Sequence, residues 1–227
     1  MTGLDDSPGG GDRFGGAWLV TEYVFDPDGA YRGSVAQRRR VEPAGESRRF
    51  RVAQSCRPSP ELHGHPMAGF AGDWVFDMEV DGAERRYLGP DVLGAGAEWN
   101  PGAMTGRGVW PRFGYEFESY SVLVAPDRQL TCGFFSLAGR SVADIVGVAV
   151  PESAGIEPRL DLSAPVPEVE GGWPQRRSVG PLLVAADQPS ALRRRRLWAM
   201  RDPIGASGFS LIEDAGAAGR SVSVAVG

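Results

Sequence analysis

The chain reads as an all-β protein, an antiparallel up-and-down barrel. Three observations predict it. Apolar and polar residues alternate with period two through successive segments. The segments are short and are punctuated by Asp, Gly and Pro. No helical period runs between Trp18 and Val150. Many antiparallel strands joined by tight turns must bury their apolar faces in a closed barrel or a sandwich, and the barrel is the reading adopted.

The elements follow in order. Residues 1–15 are polar and Gly-rich, with Asp5, Asp6 and Asp12, and read as a disordered tail. They carry neither a cationic n-region nor an apolar h-region, so they are not a signal peptide. Ala17–Phe25 is a strand, closed by the turn Asp26-Pro27-Asp28-Gly29. Tyr31–Val41 and Arg48–Cys56 follow. In Gly72–Asp81 the even positions Trp74, Phe76, Met78 and Val80 are apolar, while the odd positions Asp73, Asp77, Glu79 and Asp81 are acidic, with Val75 the exception, which defines one buried face. Asp81-Gly82 has hairpin-turn chemistry, and Arg85–Leu88 returns. Phe113–Val124, Gln129–Leu137 and Ser141–Val150 complete the meander, for about eight strands. Residues 151–180 are Pro-rich and read as a surface crossing. The end of the chain leaves two readings open. Asp187-Gln188-Pro189-Ser190 could cap a short helix to Met200, or Leu192–Met200 and Phe209–Glu213 could be strands. Ser221–Val226 alternates in either case. The whole of 16–227 is read as one domain.

Composition excludes several chemistries. The chain has 227 residues, 42% of them hydrophobic, and a net charge of −5. All 24 basic residues are arginine. Without lysine there is no Schiff-base nucleophile, no anchor for pyridoxal phosphate and no P-loop lysine. The negative balance argues against nucleic acid as a partner, and no apolar run is long enough for a membrane-spanning helix. Arg38-Arg39-Arg40 and Arg193-Arg194-Arg195-Arg196 read as solvated faces, or as clamps for a carboxylate or phosphate. Cys56 and Cys132 lack zinc or redox spacing, and whether they pair stays open. A cytoplasmic location is the default expectation.

The densest stretch runs from Gly94 to Tyr120. Trp99, Trp110, Phe113, Tyr115, Phe117 and Tyr120 lie there among Glu98, Asn100, Glu116 and Glu118. Phe113, Tyr115 and Phe117 share one strand face, and Glu116, Glu118 and Tyr120 the other. Pro101–Gly108 reads as a flexible loop at a barrel mouth. Such an aromatic lining with a few polar groups suits an apolar ligand. His63 and His65, in Leu62-His63-Gly64-His65-Pro66, could serve a metal with Asp73 or Glu61, but their setting reads as a loop, and no metal is assigned. His65 is kept as a proton shuttle.

Gly16-Ala17-Trp18 at the head of the first strand resembles the GxW signature of lipocalins and their calycin relatives. The same spacing recurs at Gly72-Asp73-Trp74, Gly108-Val109-Trp110 and Gly171-Gly172-Trp173. The resemblance implies a calycin-like barrel of eight to ten strands, its tryptophan closing the floor beneath a cavity for one lipophilic molecule. Members of that group include carriers, bilin-attaching lyases and cyclases, so the fold leaves activity open.

The functional expectation is a cofactor-independent enzyme of specialised metabolism that remodels a small hydrophobic substrate inside the barrel, of cyclase, isomerase or hydratase type. The alternative is a non-catalytic carrier or resistance protein, and a third class is an interaction domain with a filled core. Tyr115, Glu118 and His65 are the catalytic candidates. Trp74, Trp99, Asn100, Trp110, Phe113 and Phe117 are the ligand-binding ones. Strand parity sets Tyr115 and Glu118 on opposite faces unless a bulge intervenes. A hydrophobic small molecule is the expected partner, with no cofactor, nucleic acid or membrane, and a homodimer is left open.

Overall fold

The computed structural model describes residues 13–159, apart from the loop positions 28, 29, 46, 47 and 101, together with four later strands. Ten strands form a closed antiparallel barrel in sequence order: β1 (Gly16–Phe25), β2 (Tyr31–Pro43), β3 (Arg49–Pro58), β4 (Gly72–Asp81), β5 (Glu84–Leu88), β6 (Leu93–Asn100), β7 (Ala103–Trp110), β8 (Tyr115–Ala125), β9 (Arg128–Leu137) and β10 (Arg140–Pro151). β10 closes on β1 from Trp18↔Pro151 to Phe25↔Asp144. Closure leaves no unpaired edge.

The later strands β11 (Arg176–Leu182), β12 (Arg193–Arg201), β13 (Gly208–Gly216) and β14 (Gly219–Val226) form a separate antiparallel sheet in the order β11-β14-β13-β12. The chain divides into two compact units, Met1–Pro158 and Arg159–Gly227. The sequence reading put 16–227 in one barrel domain, whereas the barrel itself takes in Gly16–Pro151. The surface crossing expected over 151–180 runs into β11 at Arg176. Of the two readings of the C-terminal part, the strand is the one observed over Arg193–Arg201.

Expectation and structure differ most at Gly94–Trp110. Of Pro101–Gly108, read as a loop, Ala103–Gly108 belongs to β7, which pairs with β6 as a hairpin, with Gly94 opposite Gly108 and Gly96 opposite Gly106. The reason is steric. A Cβ on Gly94 would lie 2.3 Å from the Arg107 carbonyl oxygen, and one on Gly108 would lie 2.2 Å from that of Leu93. These glycines let two strands approach and make room for the rings of Tyr87 and Phe117.

Connections alternate between the two ends of an up-and-down barrel. One end is covered by the β3–β4 connection, which carries the 3-10 turns Pro60–Leu62 and Pro66–Phe70. Leu62, Met67 and Phe70 from this cap are buried. At the other end, residues 13–15 fold over the barrel rather than trailing as a tail. Phe14 is 4% exposed, and Trp18 Nε1 donates to the Gly15 carbonyl at 3.0 Å. No helix among the described residues is long and apolar enough to cross a membrane.

The outer wall is charged. Asp77 meets Arg51 at 2.9 Å and Arg49 at 3.3 Å, and Asp81 meets Arg48 at 2.8 Å. The Arg38–Arg40 run splits by parity. Arg38 and Arg40 point outward to Glu152, at 2.9 Å and 3.3 Å, while Arg39 faces the interior. Exposed pairs of this kind contribute little each.

Candidate functional site

Strand parity assembles the interior rung by rung. Cross-strand partners share a face, so one rung runs Thr131 (β9), Gly147 (β10), Glu22 (β1), and a neighbouring one runs Gln129, Ala149, Val20. β2 adds Val35, Gln37, Arg39 and Val41 to the same interior. The cavity has a volume of about 180 Å³. A dry cavity of about 150 Å³ admits a benzene ring, so this one suits a ligand of one or two small rings.

The cavity has an aromatic end and a polar band. At the capped end Phe70 meets Trp110, Phe113, Tyr115 and Phe135, with ring centroids 5.2, 4.8, 5.9 and 5.2 Å away. Trp74 adds edge contacts to Trp110 and Phe113 and donates from Nε1 to the Phe70 carbonyl at 3.1 Å. Such edge and offset contacts stabilise beyond simple burial. At the other end Phe14 lines the cavity, with the Arg85 guanidinium 6.0 Å from its ring centroid. Arg85, 2% exposed, also pairs with Glu98 at 3.2 Å, and Glu98 accepts from the Gly102 amide at 2.8 Å.

The polar band centres on Glu22. Gln37 Nε2 donates to Glu22 Oε2 at 2.6 Å. Burial pushes the Glu22 carboxyl up to about 7, against the opposing pull of the Arg39 charge and the Gln37 hydrogen bond. Arg39 donates from Nη2 to Gln129 Oε1. Gln129 is fully buried, and neither its Nε2 nor Thr131 Oγ1 has a hydrogen-bond partner among the described residues. A Cβ on Gly147 would fall 2.4 Å from Thr131 Oγ1 and 3.0 Å from Glu22 Cγ, so the glycine is what lets these two side chains pack over β10 at this rung. Cys56 also lines the cavity, as a free thiol that burial pushes up to about 12, so it is a poor nucleophile.

The residues singled out from sequence are dispersed. Trp110 and Phe117 line the cavity. Trp74 and Phe113 back the aromatic end. Tyr115 packs in the same cluster, stacked near Phe70 and Phe113. The β8 register runs without a shift from Tyr115 to Leu123, so Glu118 contributes to the wall from the face opposite Phe117. The side chains of Trp99 and Asn100, at the end of β6, lie outside the described residues. His65 belongs to the cap. Its Nδ1 accepts from the Met67 amide at 3.2 Å, and its Nε2 lies 3.3 Å from Asp26 Oδ1. The Asp26 carboxyl is held below its usual range, chiefly by its hydrogen bond from Arg32. His63 is exposed. Among the described residues no three His, Cys, Asp or Glu are grouped so as to hold a metal ion.

Sequence reasoning passed over Glu22, Gln37, Gln129 and Thr131, and named Arg39 only within a run read as a solvated face or an anion clamp. A signal existed. Glu22 falls in the parity of Trp18, Val20 and Val24, and Arg39 in that of Val35 and Val41, so polar residues interrupt apolar faces.

No protein-family model matches the chain, and no curated protein does. Among solved structures it is similar to an S-type phycobiliprotein lyase from Guillardia theta, with TM-score 0.46, 10% identity and coverage of 61% of this chain and 88% of that one. A protein of unknown function from the DUF3598 family of Nostoc punctiforme matches with TM-score 0.47 and 12% identity over 61% of this chain and 48% of the other. A redesigned β barrel matches with TM-score 0.34 and 13% identity. The lipocalin-like resemblance holds for the fold, a closed up-and-down barrel of ten strands. Trp18, the tryptophan that carries it, packs with Val20, Ala149 and Leu123.

Proposed function

We propose that the barrel binds one small, largely apolar molecule and moves a proton on it without a cofactor, as an isomerase or cyclase does. One observation carries this reading. A carboxyl poised near neutrality, Glu22, sits in the polar band of a cavity whose remaining lining is mostly rings and aliphatic side chains. A general acid or base works best when its pKa lies near the operating pH, and burial supplies that shift here. The aromatic end would hold the substrate in one pose and so lower the entropic part of the barrier. Glu22 takes the proton-transfer role that sequence reasoning gave to Tyr115, Glu118 and His65. Tyr115 sits in the aromatic cluster, Glu118 stands opposite the Phe117 face, and His65 sits in the cap.

The carrier reading shares the cavity and differs in one outcome. Quenching of tryptophan fluorescence across a panel of one- and two-ring molecules identifies a ligand. Glu22→Gln is then expected to bind it within about threefold of the parent and to lose turnover by about 100-fold or more. Unchanged turnover in that variant would remove Glu22 from the mechanism. Saturable binding with no turnover in the parent would leave a carrier.

A further inference from the structure

Resting on that reading, we propose that the cavity is built for a carbonyl compound with an acidic α-hydrogen, whose oxygen is received by Gln129 Nε2 and Thr131 Oγ1 while Glu22 exchanges the α-hydrogen. Arginine can only donate, so its bond to Gln129 fixes Oε1 as the acceptor and leaves the amide NH₂ as the open group. That NH₂ and the Thr131 hydroxyl sit two residues apart on the inner face of β9. Both are sealed from solvent and lack partners. A buried donor without an acceptor is costly, and an oxygen placed between these two is the partner they lack. A hydrocarbon offers none.

Glu22 stands on the same rung as Thr131, two strands away across Gly147. Neighbouring strands lie about 4.8 Å apart, so the donors and the base stand on either side of Gly147, whose lack of a side chain makes room for both. The step needs no co-reactant. The Glu22 carboxylate takes the α-hydrogen as a proton. The C–H electron pair becomes the C=C bond, and the carbonyl π pair moves to oxygen, where Gln129 N–H and Thr131 O–H donate to it. The Glu22 carboxylic acid then returns the proton, to the same carbon for exchange or to a conjugated one for isomerisation. Arg39, bonded to the Gln129 amide, lends positive charge to the enolate side.

The test compares 1-tetralone with tetralin, which has the same ring skeleton without the oxygen. By fluorescence quenching the parent is expected to bind the ketone about tenfold more tightly, as two new hydrogen bonds warrant. Thr131→Val, isosteric, and Gln129→Glu, which keeps the oxygen that Arg39 grips and removes the N–H, are each expected to cut that preference to about twofold or less. Tetralin affinity should hold. In D₂O the parent is expected to speed deuterium entry at the carbon beside the carbonyl, as read by NMR, and Glu22→Gln is expected not to. Equal affinity for both compounds, or a preference that survives both variants, overturns the carbonyl seat while leaving the cavity reading in place. A ketone preference without deuterium entry overturns the role of Glu22. If neither compound binds, the cavity reading falls, and this inference with it.

Discussion

At the scale of single residues, Glu22 sets how the barrel responds to pH. Its carboxyl is raised in the folded state from an ordinary value of 4.5 to about 7. Folding therefore favours the protonated form. The contribution of Glu22 to stability is greatest below the unfolded value, falls as pH rises between about 4.5 and 7, and levels off above. The loss is limited to about 3 kcal/mol by the size of the shift. Glu22→Gln removes the ionisable group, so its melting temperature should decline less over that window and exceed the parent's at pH 8. Parallel melting curves for the two proteins across pH 5 to 8 would contradict this placement of Glu22. Gly147 is the second residue with a large expected effect. Gly147→Ala pushes a methyl group against Thr131 and Glu22, so a loss of about 1–3 kcal/mol in denaturant unfolding is expected, with weakened ligand quenching. Glu22 was hard to single out in the sequence because one acidic residue in Val20-Thr21-Glu22-Tyr23-Val24 looks like the polar partner in an alternation. Its inward parity becomes telling only once the β1–β10 register is known.

At the scale of elements, the cap and the β6–β7 hairpin depend on different physics. The cap is held by buried apolar side chains, with Phe70 at the centre of the aromatic end. Truncation by Phe70→Ala is expected to cost about 3–5 kcal/mol, measurable as a drop in the denaturation midpoint at unchanged slope. The hairpin is held by what its glycines lack. Gly108→Ala sets a methyl group against the Leu93 carbonyl and the Phe117 ring, and a loss of at least about 1 kcal/mol is expected. A neutral result would show that the two strands can separate at no cost. β4 was legible because Trp74, Phe76 and Met78 fall at alternate positions among acids, with only Val75 breaking the pattern, and all three are buried. The hairpin was not, because glycine has no side chain to carry the period, although Leu93-Gly94-Ala95-Gly96-Ala97 does alternate. The cap escaped for another reason. Its burial comes from long-range contacts that Pro60 and Pro66 do not announce.

At the scale of the whole molecule, closure of the barrel by β1 and β10 is the decisive event. Their residues are separated by most of the barrel's sequence, so the pairing costs loop-closure entropy before it returns any contact. Refolding in the millisecond-to-second range is expected from this topology. Hydrogen exchange offers a direct check. Amides along β1 and β10 should be protected to near the global stability, as interior strands are. Exchange at the rate of frayed edges would mean that the seam is open. Closure also makes the site, because it brings Thr131, Gly147 and Glu22 from three strands onto one rung.

By itself the sequence determined the strand class, the turns, the inner faces of the best-alternating strands and the absence of lysine chemistry, because those are local properties of period, turn residues and composition. The tertiary structure decided the number of barrel strands, the separate sheet formed by β11 to β14, and the meeting of Glu22, Arg39, Gln129 and Thr131. Those depend on register between strands far apart in the chain. A shift of one residue would turn each of these polar groups outward.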